Sequence, residues 1–169
     1  ERRLIQPENH TFSVPEVSGL VFTPLTLSSK APPYPPHRND PHPGDNIGLL
    51  ITDQTTNKTA FYAPGLGAIE PQVEQAMRKA DVILVDGTFW TDDEMLTLGL
   101  SSKRALDMGH LAQSGAGGML EALAPYRDKR RILIHINNTN PILREDSEQA
   151  RTLADLGIEV ACDGMVIEI

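Results

Sequence analysis

The sequence predicts an α/β fold, a mixed sheet with flanking helices, and three observations carry that expectation. Early apolar segments are separated by turns, as in an antiparallel region. Later apolar segments are separated by stretches of helical spacing, as in parallel strands with crossovers. The runs VILV (82–85) and RILIHI (131–136) are short and almost wholly apolar, the mark of strands covered on both faces.

In chain order, GLVFTPLTL (19–27) reads as a strand. SKAPPYPPHRNDPHPGD (29–45) holds six of the 13 prolines and two of the 5 histidines, so it is a stiff extended loop without the amides that helix or sheet requires. NIGLLITD (46–53) and TAFYAPG (59–65) read as strands around a QTTNK turn. Ile69, Val73, Ala76, Met77 and Ala80 recur at helical spacing over 69–80. VILV follows, closed by Asp86 and Gly87, and then a polar, mixed region without a clear period. SGAGGMLEALAPY (114–126) predicts a helix that stops near Pro125. The basic residues Arg127 to Arg131 read as a solvated entry to the strand RILIHI. SEQARTLADLG (147–157) predicts a helix with Ser147 as N-cap and Gly157 at its end. IEVAC and MVIEI flank Asp163-Gly164, a hairpin signal.

Composition sets limits on function. At 169 residues the chain is long enough for one ordinary core, and its formal net charge of −8 argues against nucleic acid as the main partner. No apolar run approaches a membrane helix. The single cysteine, Cys162, has no internal partner and fits a reducing, cytoplasmic setting.

If the strands ending near Gly65, Asp86 and His135 run parallel, all three residues lie along one edge, where open α/β sheets bind ligands. His135 sits among aliphatic neighbours, so its strand is expected to be buried on both faces. It is either a ligand for zinc, iron or copper or a core histidine bonded to a backbone carbonyl. Asp86 is either a carboxylate that orients a histidine, acts as a base or binds metal, or a turn-stabilising aspartate. In MGHLAQSGAGG, His110 and Gln113 stand ahead of a helix start, which is an anion-favouring feature or a plain entry loop. Trp90 either stacks on a planar ligand or packs in the core. Asn137 and Asn138 begin a run of polar side chains that either lines a crevice or makes a turn. His37 and His42 lie in the proline-rich loop.

Several of these stretches, taken together, resemble a known family. PPYPPHRNDPHPGDNIGLLI, FYAPGLG, LVDGTFWTDDEM, MGHLAQSG, GGMLE and LIHINNTNPIL, in this order, resemble the coenzyme PQQ synthesis protein B family of the metallo-β-lactamase fold. The resemblance runs from about Gly19 to the end. It implies that residues 19–169 are the C-terminal half of a metallo-β-lactamase-like αβ/βα sandwich, with 1–18 an incomplete N-terminal segment. A structural zinc site and an Asp-x-x-x-Asp-His metal segment would then belong to the other half. The inner sheet face would need that half, another copy or a compensating rearrangement, so self-association through it is one of three alternatives.

The same resemblance implies roles. His135 matches a superfamily metal ligand, and His42 falls nearest another. Asp86 and His110 resemble a catalytic pair of the tRNA-processing nuclease branch. Trp90, Gln113, Asn137 and Asn138 would contact substrate. The superfamily's bridging aspartate has no counterpart at Ala63 to Leu66, which implies one metal rather than two. One metal with two histidines and a carboxylate suits Fe(II), with zinc as the other candidate. The implied function is biosynthesis of pyrroloquinoline quinone (PQQ) by iron-dependent hydroxylation of a tyrosine-derived precursor. The alternatives are a carrier of the finished cofactor and, behind it, a metal-dependent hydrolase. The implied partners are the small-molecule or peptide-derived precursor or PQQ itself.

Overall fold

The structure, a computed structural model, describes residues 10–30, 40, 42 and 44–169; most of the proline-rich loop, including His37, lies outside them. Six strands form one sheet in sequential order: β1 (Leu20–Thr26), β2 (Ile47–Asp53), β3 (Thr59–Ala63), β4 (Val82–Asp86), β5 (Arg130–Ile134) and β6 (Ile158–Val160). β1, β2 and β3 pair antiparallel, and β3 to β6 run parallel. The mixed α/β sheet expected from the sequence is the one observed. The β2–β3 turn is tight because Asp53 accepts from Thr55 N (2.7 Å) and Thr56 Oγ1 (3.0 Å), with Asn57 at φ 58°.

The crossovers are right for parallel strands. Between β3 and β4 lies α1 (Pro71–Lys79), with proline preset in its first turn. Between β5 and β6 lies α5 (Glu148–Asp155), capped by Ser147, whose hydroxyl accepts from Ala150 N at 2.9 Å. Gly157 follows at φ 65°, a left-handed stop that suits glycine. Val73, Ala76 and Met77 of α1 and Leu153 of α5 join Phe61, Ile83, Val85 and Leu133 in one buried cluster. The opposite sheet face is less covered: Leu49, Tyr62 and Leu84 are cross-strand neighbours there, and Tyr62 is 38 % exposed.

The connection from β4 to β5 departs from expectation. The polar, mixed region contains two four-residue helices, α2 (Glu94–Thr97) and α3 (Ala105–Met108), too short to show a period. The helix expected over 114–126 begins only at Met119: α4 (Met119–Leu123) passes into a 3₁₀ turn, Ala124–Tyr126. Residues 114–118 are a glycine-rich turn instead, with Gly115 and Gly117 at positive φ.

Three further expectations are corrected. The hairpin at Asp163-Gly164 makes its turn, with Met165 N donating to Cys162 O (3.1 Å), but MVIEI forms no strand and Val166 stays 79 % exposed. β6 has three residues and offers a returning strand too little edge. The basic cluster before β5 is not simply solvated. Lys129 Nζ reaches the carbonyls of Met77, Arg78 and Ala80 at 3.0, 2.5 and 2.6 Å, closing the C-terminus of α1. Arg131 is buried and donates to Leu123 O (3.4 Å), Leu156 O (2.6 Å) and Gly157 O (3.3 Å), at the ends of α4 and α5. Burial, with Arg127 nearby, lowers the guanidinium pKa from its ordinary value. The strand expected to carry His135 ends at Ile134. His135 lies just beyond it at φ 57° and is exposed, because the backbone reverses there.

Among the described residues, no helix is long and apolar enough to cross a membrane.

Candidate metal centre

The carboxyl ends of β4 and β5 are joined past their last strand residues. Gly87 N donates to Ile134 O (2.8 Å), and Asn137 N donates to Thr88 O (3.1 Å). The two segments that carry Asp86 and His135 therefore leave the sheet side by side. Glycine is required between Asp86 and Thr88, since a Cβ at Gly87 would lie 2.6 Å from Ile136 Cδ1 and 2.8 Å from Leu133 Cβ. Two buried amides fix this turn from below. Gln113 Nε2 donates to Gly87 O (2.6 Å), and Asn140 Nδ2 donates to Gly87 O (3.0 Å) and Thr88 O (3.2 Å).

His110 arrives from a different segment. Gly109, at φ 96°, ends α3, and His110 N donates to Ala105 O (3.0 Å) while Leu111 N donates to Leu66 O (2.7 Å). These bonds put the His110 ring against Asp86. Asp86, His110 and His135 form the group among the described residues that could hold a metal ion, with one potential ligand atom from each within 4.8 Å of the others.

The hydrogen bonds divide the work within that group. Asp86 is fully buried. Its Oδ2 accepts from Leu66 N (2.9 Å) and His110 Nδ1 (2.6 Å), and its Oδ1 accepts from Thr88 N (3.0 Å) and Thr88 Oγ1 (2.5 Å). A carboxylate has about four acceptor sites, so Asp86 is saturated. That set of bonds suits a carboxylate that orients its neighbours. His110 and His135 use Nδ1 inward, on Asp86 and on Thr88 Oγ1 (2.9 Å), and their rings stand 5.2 Å apart. Their Nε2 atoms are the edges left over, and neutral imidazole nitrogens suit zinc, iron or copper.

The other sequence candidates fall at different distances from this centre. His42 is outside the group; its side chain is 57 % exposed and its Nε2 lies 3.6 Å from Asp40 Oδ2. Trp90 is half-buried against the hydrophobic cluster, its amide bonded to Glu94 Oε2 (2.7 Å). Gln113 is fully buried under Gly87, and its Oε1 has no partner. Asn137 Nδ2 donates to Thr139 Oγ1 (2.5 Å), which in turn donates to Glu94 Oε1 (2.5 Å), tying the loop to α2. Asn138 is exposed. The first amides of α4 are already taken by carbonyls of Ala112 and Gln113, so the helix start offers no anion seat. An open cavity of about 360 Å³ lies beside His110, lined also by Thr91, Asp92, Leu106, Leu111 and Ser114.

Sequence reasoning did not single out Thr88, Leu66 or Asn140. The segment Ala63 to Leu66 drew attention for lacking a carboxylate. Its contribution is the Leu66 amide that holds Asp86.

Comparison with known proteins places this centre in context. The profile of the beta-lactamase superfamily domain matches residues 2–136. Coenzyme PQQ synthesis protein B of Methylobacillus flagellatus is 63 % identical over 158 residues, covering 94 % of this chain and 52 % of that protein. The protein of the same name from Methylococcus capsulatus is 54 % identical over 167 residues, covering 99 % and 55 %. The crystal structure of Zn(2+)-bound PqqB from Methylobacterium extorquens superposes with a TM-score of 0.81 at 30 % identity, covering 95 % of this chain and 54 % of that one. The chain thus spans about half the length of the curated relatives it matches.

Proposed function

The chain belongs to the beta-lactamase superfamily, and on that premise we propose that it supplies one side of a single-metal centre acting in the biosynthesis of pyrroloquinoline quinone. The observation that carries this reading is the pair of imidazoles whose Nδ1 edges are engaged on Asp86 and Thr88, with both Nε2 edges left for other work. The donor set fits a first-row metal. His135 would hold it, and the remaining ligands, any further carboxylate included, would come from the part of its relatives that this chain does not span. Fe(II), when bound, would supply the activation of O2 needed to add one oxygen to a tyrosine-derived precursor, the second oxygen leaving as water with two electrons from an external reductant.

The chain's own residues do the rest. Asp86 keeps His110 protonated at Nδ1, so His110 Nε2 can take a proton from substrate and return it. The Leu66 amide holds Asp86 in place. Gln113 and Asn140 keep the Gly87 turn from drifting. Substrate would lie in the cavity beside His110. Trp90, Gln113, Asn137 and Asn138 are not among the residues that line that cavity, and of the four Asn138 is the exposed one.

A longer protein of this family that carries this chain, given Fe(II), O2, a two-electron reductant such as ascorbate and the tyrosine-derived precursor, should yield a product heavier by one oxygen. His135→Ala should abolish that product. Retained iron and turnover in the variant would overturn the assignment. The isolated 169 residues should bind iron weakly and be inactive, and one-to-one binding at micromolar affinity or tighter would contradict this.

The same cavity favours a second reading, a carrier that binds finished PQQ without transforming it. Titration with PQQ decides between the two: tight binding with no oxygen-dependent reaction supports the carrier. Two metals per chain in elemental analysis would instead revive hydrolysis.

A further inference from the structure

Thr88 has one hydroxyl proton and several neighbours that could use it. Its Oγ1 lies 2.5 Å from Asp86 Oδ1, 2.9 Å from His135 Nδ1, 3.0 Å from His135 O and 3.1 Å from His110 Nδ1. Hydrogen-bond bookkeeping decides among them. A carboxylate only accepts, and a charge-assisted O–H bond is the shorter and stronger one. The proton therefore goes to Asp86. The His110 Nδ1 hydrogen is already on Asp86 at 2.6 Å, so Thr88 Oγ1 is left as an acceptor for His135, whose ring nitrogen 2.9 Å away must bring its own hydrogen.

We propose that Thr88 is a positioning residue that relays the carboxylate of Asp86 to His135 and fixes that ring as the Nδ1–H tautomer. Asp86 sets His110 directly and His135 through one hydroxyl. The consequence is that both Nε2 atoms carry lone pairs and neither carries hydrogen. One buried carboxylate thereby prepares two imidazoles at once. Thr88 is 5 % exposed, so water does not compete for the relay. Its backbone amide, bonded to Asp86 Oδ1 at 3.0 Å, and the Asn140 bond to its carbonyl hold the residue independently of its side chain. A variant lacking the hydroxyl thus keeps the turn.

The use of the prepared nitrogen rests on the metal-ligand reading of His135, but the tautomer itself does not. Long-range ¹H–¹⁵N spectra of the ¹⁵N-histidine-labelled 169-residue chain, free of metal and at alkaline pH where imidazole is neutral, read the tautomers directly. In the wild type both His110 and His135 should show a protonated Nδ1 and a bare Nε2. Thr88→Val should release His135 towards Nε2–H and leave His110 unchanged, and Thr88→Ser should restore the wild-type pattern. In a longer protein of the family that carries this chain, Zn2+ affinity should fall about 10- to 100-fold in Thr88→Val, the range for lost outer-shell partners, and recover in Thr88→Ser. A wild-type His135 found as the Nε2–H tautomer overturns the relay without any variant. So does a Thr88→Val chain whose His135 keeps the wild-type pattern. The stated tautomers, with no Zn2+ uptake by a longer protein of the family that carries this chain, would support the relay and overturn the metal-ligand reading.

Discussion

The two ends of the parallel strands β4 and β5 both carry charged and polar side chains, to opposite effect. At the amino ends, Lys129 and Arg131 point their cations at the carbonyl ends of α1, α4 and α5, and Arg130 forms a two-pronged pair with Glu159. Most of the bonds these cations make go to protein carbonyls and one carboxylate, although Arg131 Nε is buried without a partner. At the carboxyl ends, Asp86 is spent completely, on Leu66, Thr88 and His110. There, however, the satisfied carboxylate leaves two imidazoles half-used, each with its Nε2 edge over. Charge and burial alone do not separate a structural cluster from a functional one. Unused metal-ligating edges do, and here they belong to two imidazoles whose ring centroids stand 5.2 Å apart.

The largest expected effect comes from removing the carboxylate. In Asp86→Asn an amide with one acceptor oxygen would replace a group that accepts four hydrogen bonds. Buried donors lose their partner, so stability should fall by roughly 2–4 kcal/mol. Zn2+ affinity should fall at least about 100-fold, because both rings lose their orientation. Chemical denaturation and metal titration check the two effects separately. A variant that keeps both would mean the carboxyl end is merely another structural cluster.

Arg131→Met is the counterpart at the other end. The methylenes stay packed, but the carbonyls of Leu156 and Leu123 lose a donor, and stability should fall by roughly 1–3 kcal/mol. Metal affinity per folded molecule should not change. If it drops as it does for Asp86→Asn, the two ends are coupled and the contrast fails. Lys129→Met should cost less, about 1 kcal/mol, because its site at the end of α1 is partly wet. Thermal melts of the two variants rank them.

How much of this was legible in the sequence follows the same division. The strands and the two crossover helices announced themselves through apolar period and caps, with Ser147 and Gly157 in the roles their chemistry suggests. Asp86, His110 and His135 were legible as candidates because each closes an apolar run or a family motif. What was hidden depends on tertiary neighbours. The aliphatic run through Ile136 implied a buried His135, yet a left-handed backbone at that residue turns it outward. Arg131 looked solvated because nothing local shows that two helix ends meet it. Thr88 is an ordinary threonine until Asp86 and His135 are brought to either side of its hydroxyl.

The smallest effect tests whether the amino end is held by charge at all. Arg130 Nε and Nη2 donate to Glu159 Oε1 and Oε2 at 2.7 and 2.9 Å, across the β5–β6 pairing. The hydrogen bonds from Arg130 hold the Glu159 carboxyl below its ordinary pKa, against a partial burial that acts to raise it. A carboxyl with a lower pKa in the folded state stabilises the fold above its unfolded pKa, about 4.3 for glutamate, and loses that contribution as pH falls through the folded value. The side chains are 32 % and 40 % exposed, so screening by water and salt keeps the pair near about 0.5 kcal/mol. Glu159→Gln should therefore melt slightly below wild type at neutral pH, and the two melting curves should converge as the pH drops below 4 or so. Asp81 titrates in the same acid range, its pKa lowered chiefly by the hydrogen bond from Thr59 N, so the variant should still lose stability in acid. A gap between the two proteins that widens in acid would have the wrong sign for this pair. A gap unchanged by molar salt would mean that Glu159 acts through packing, and the amino end would then owe its order to the helix carbonyls alone.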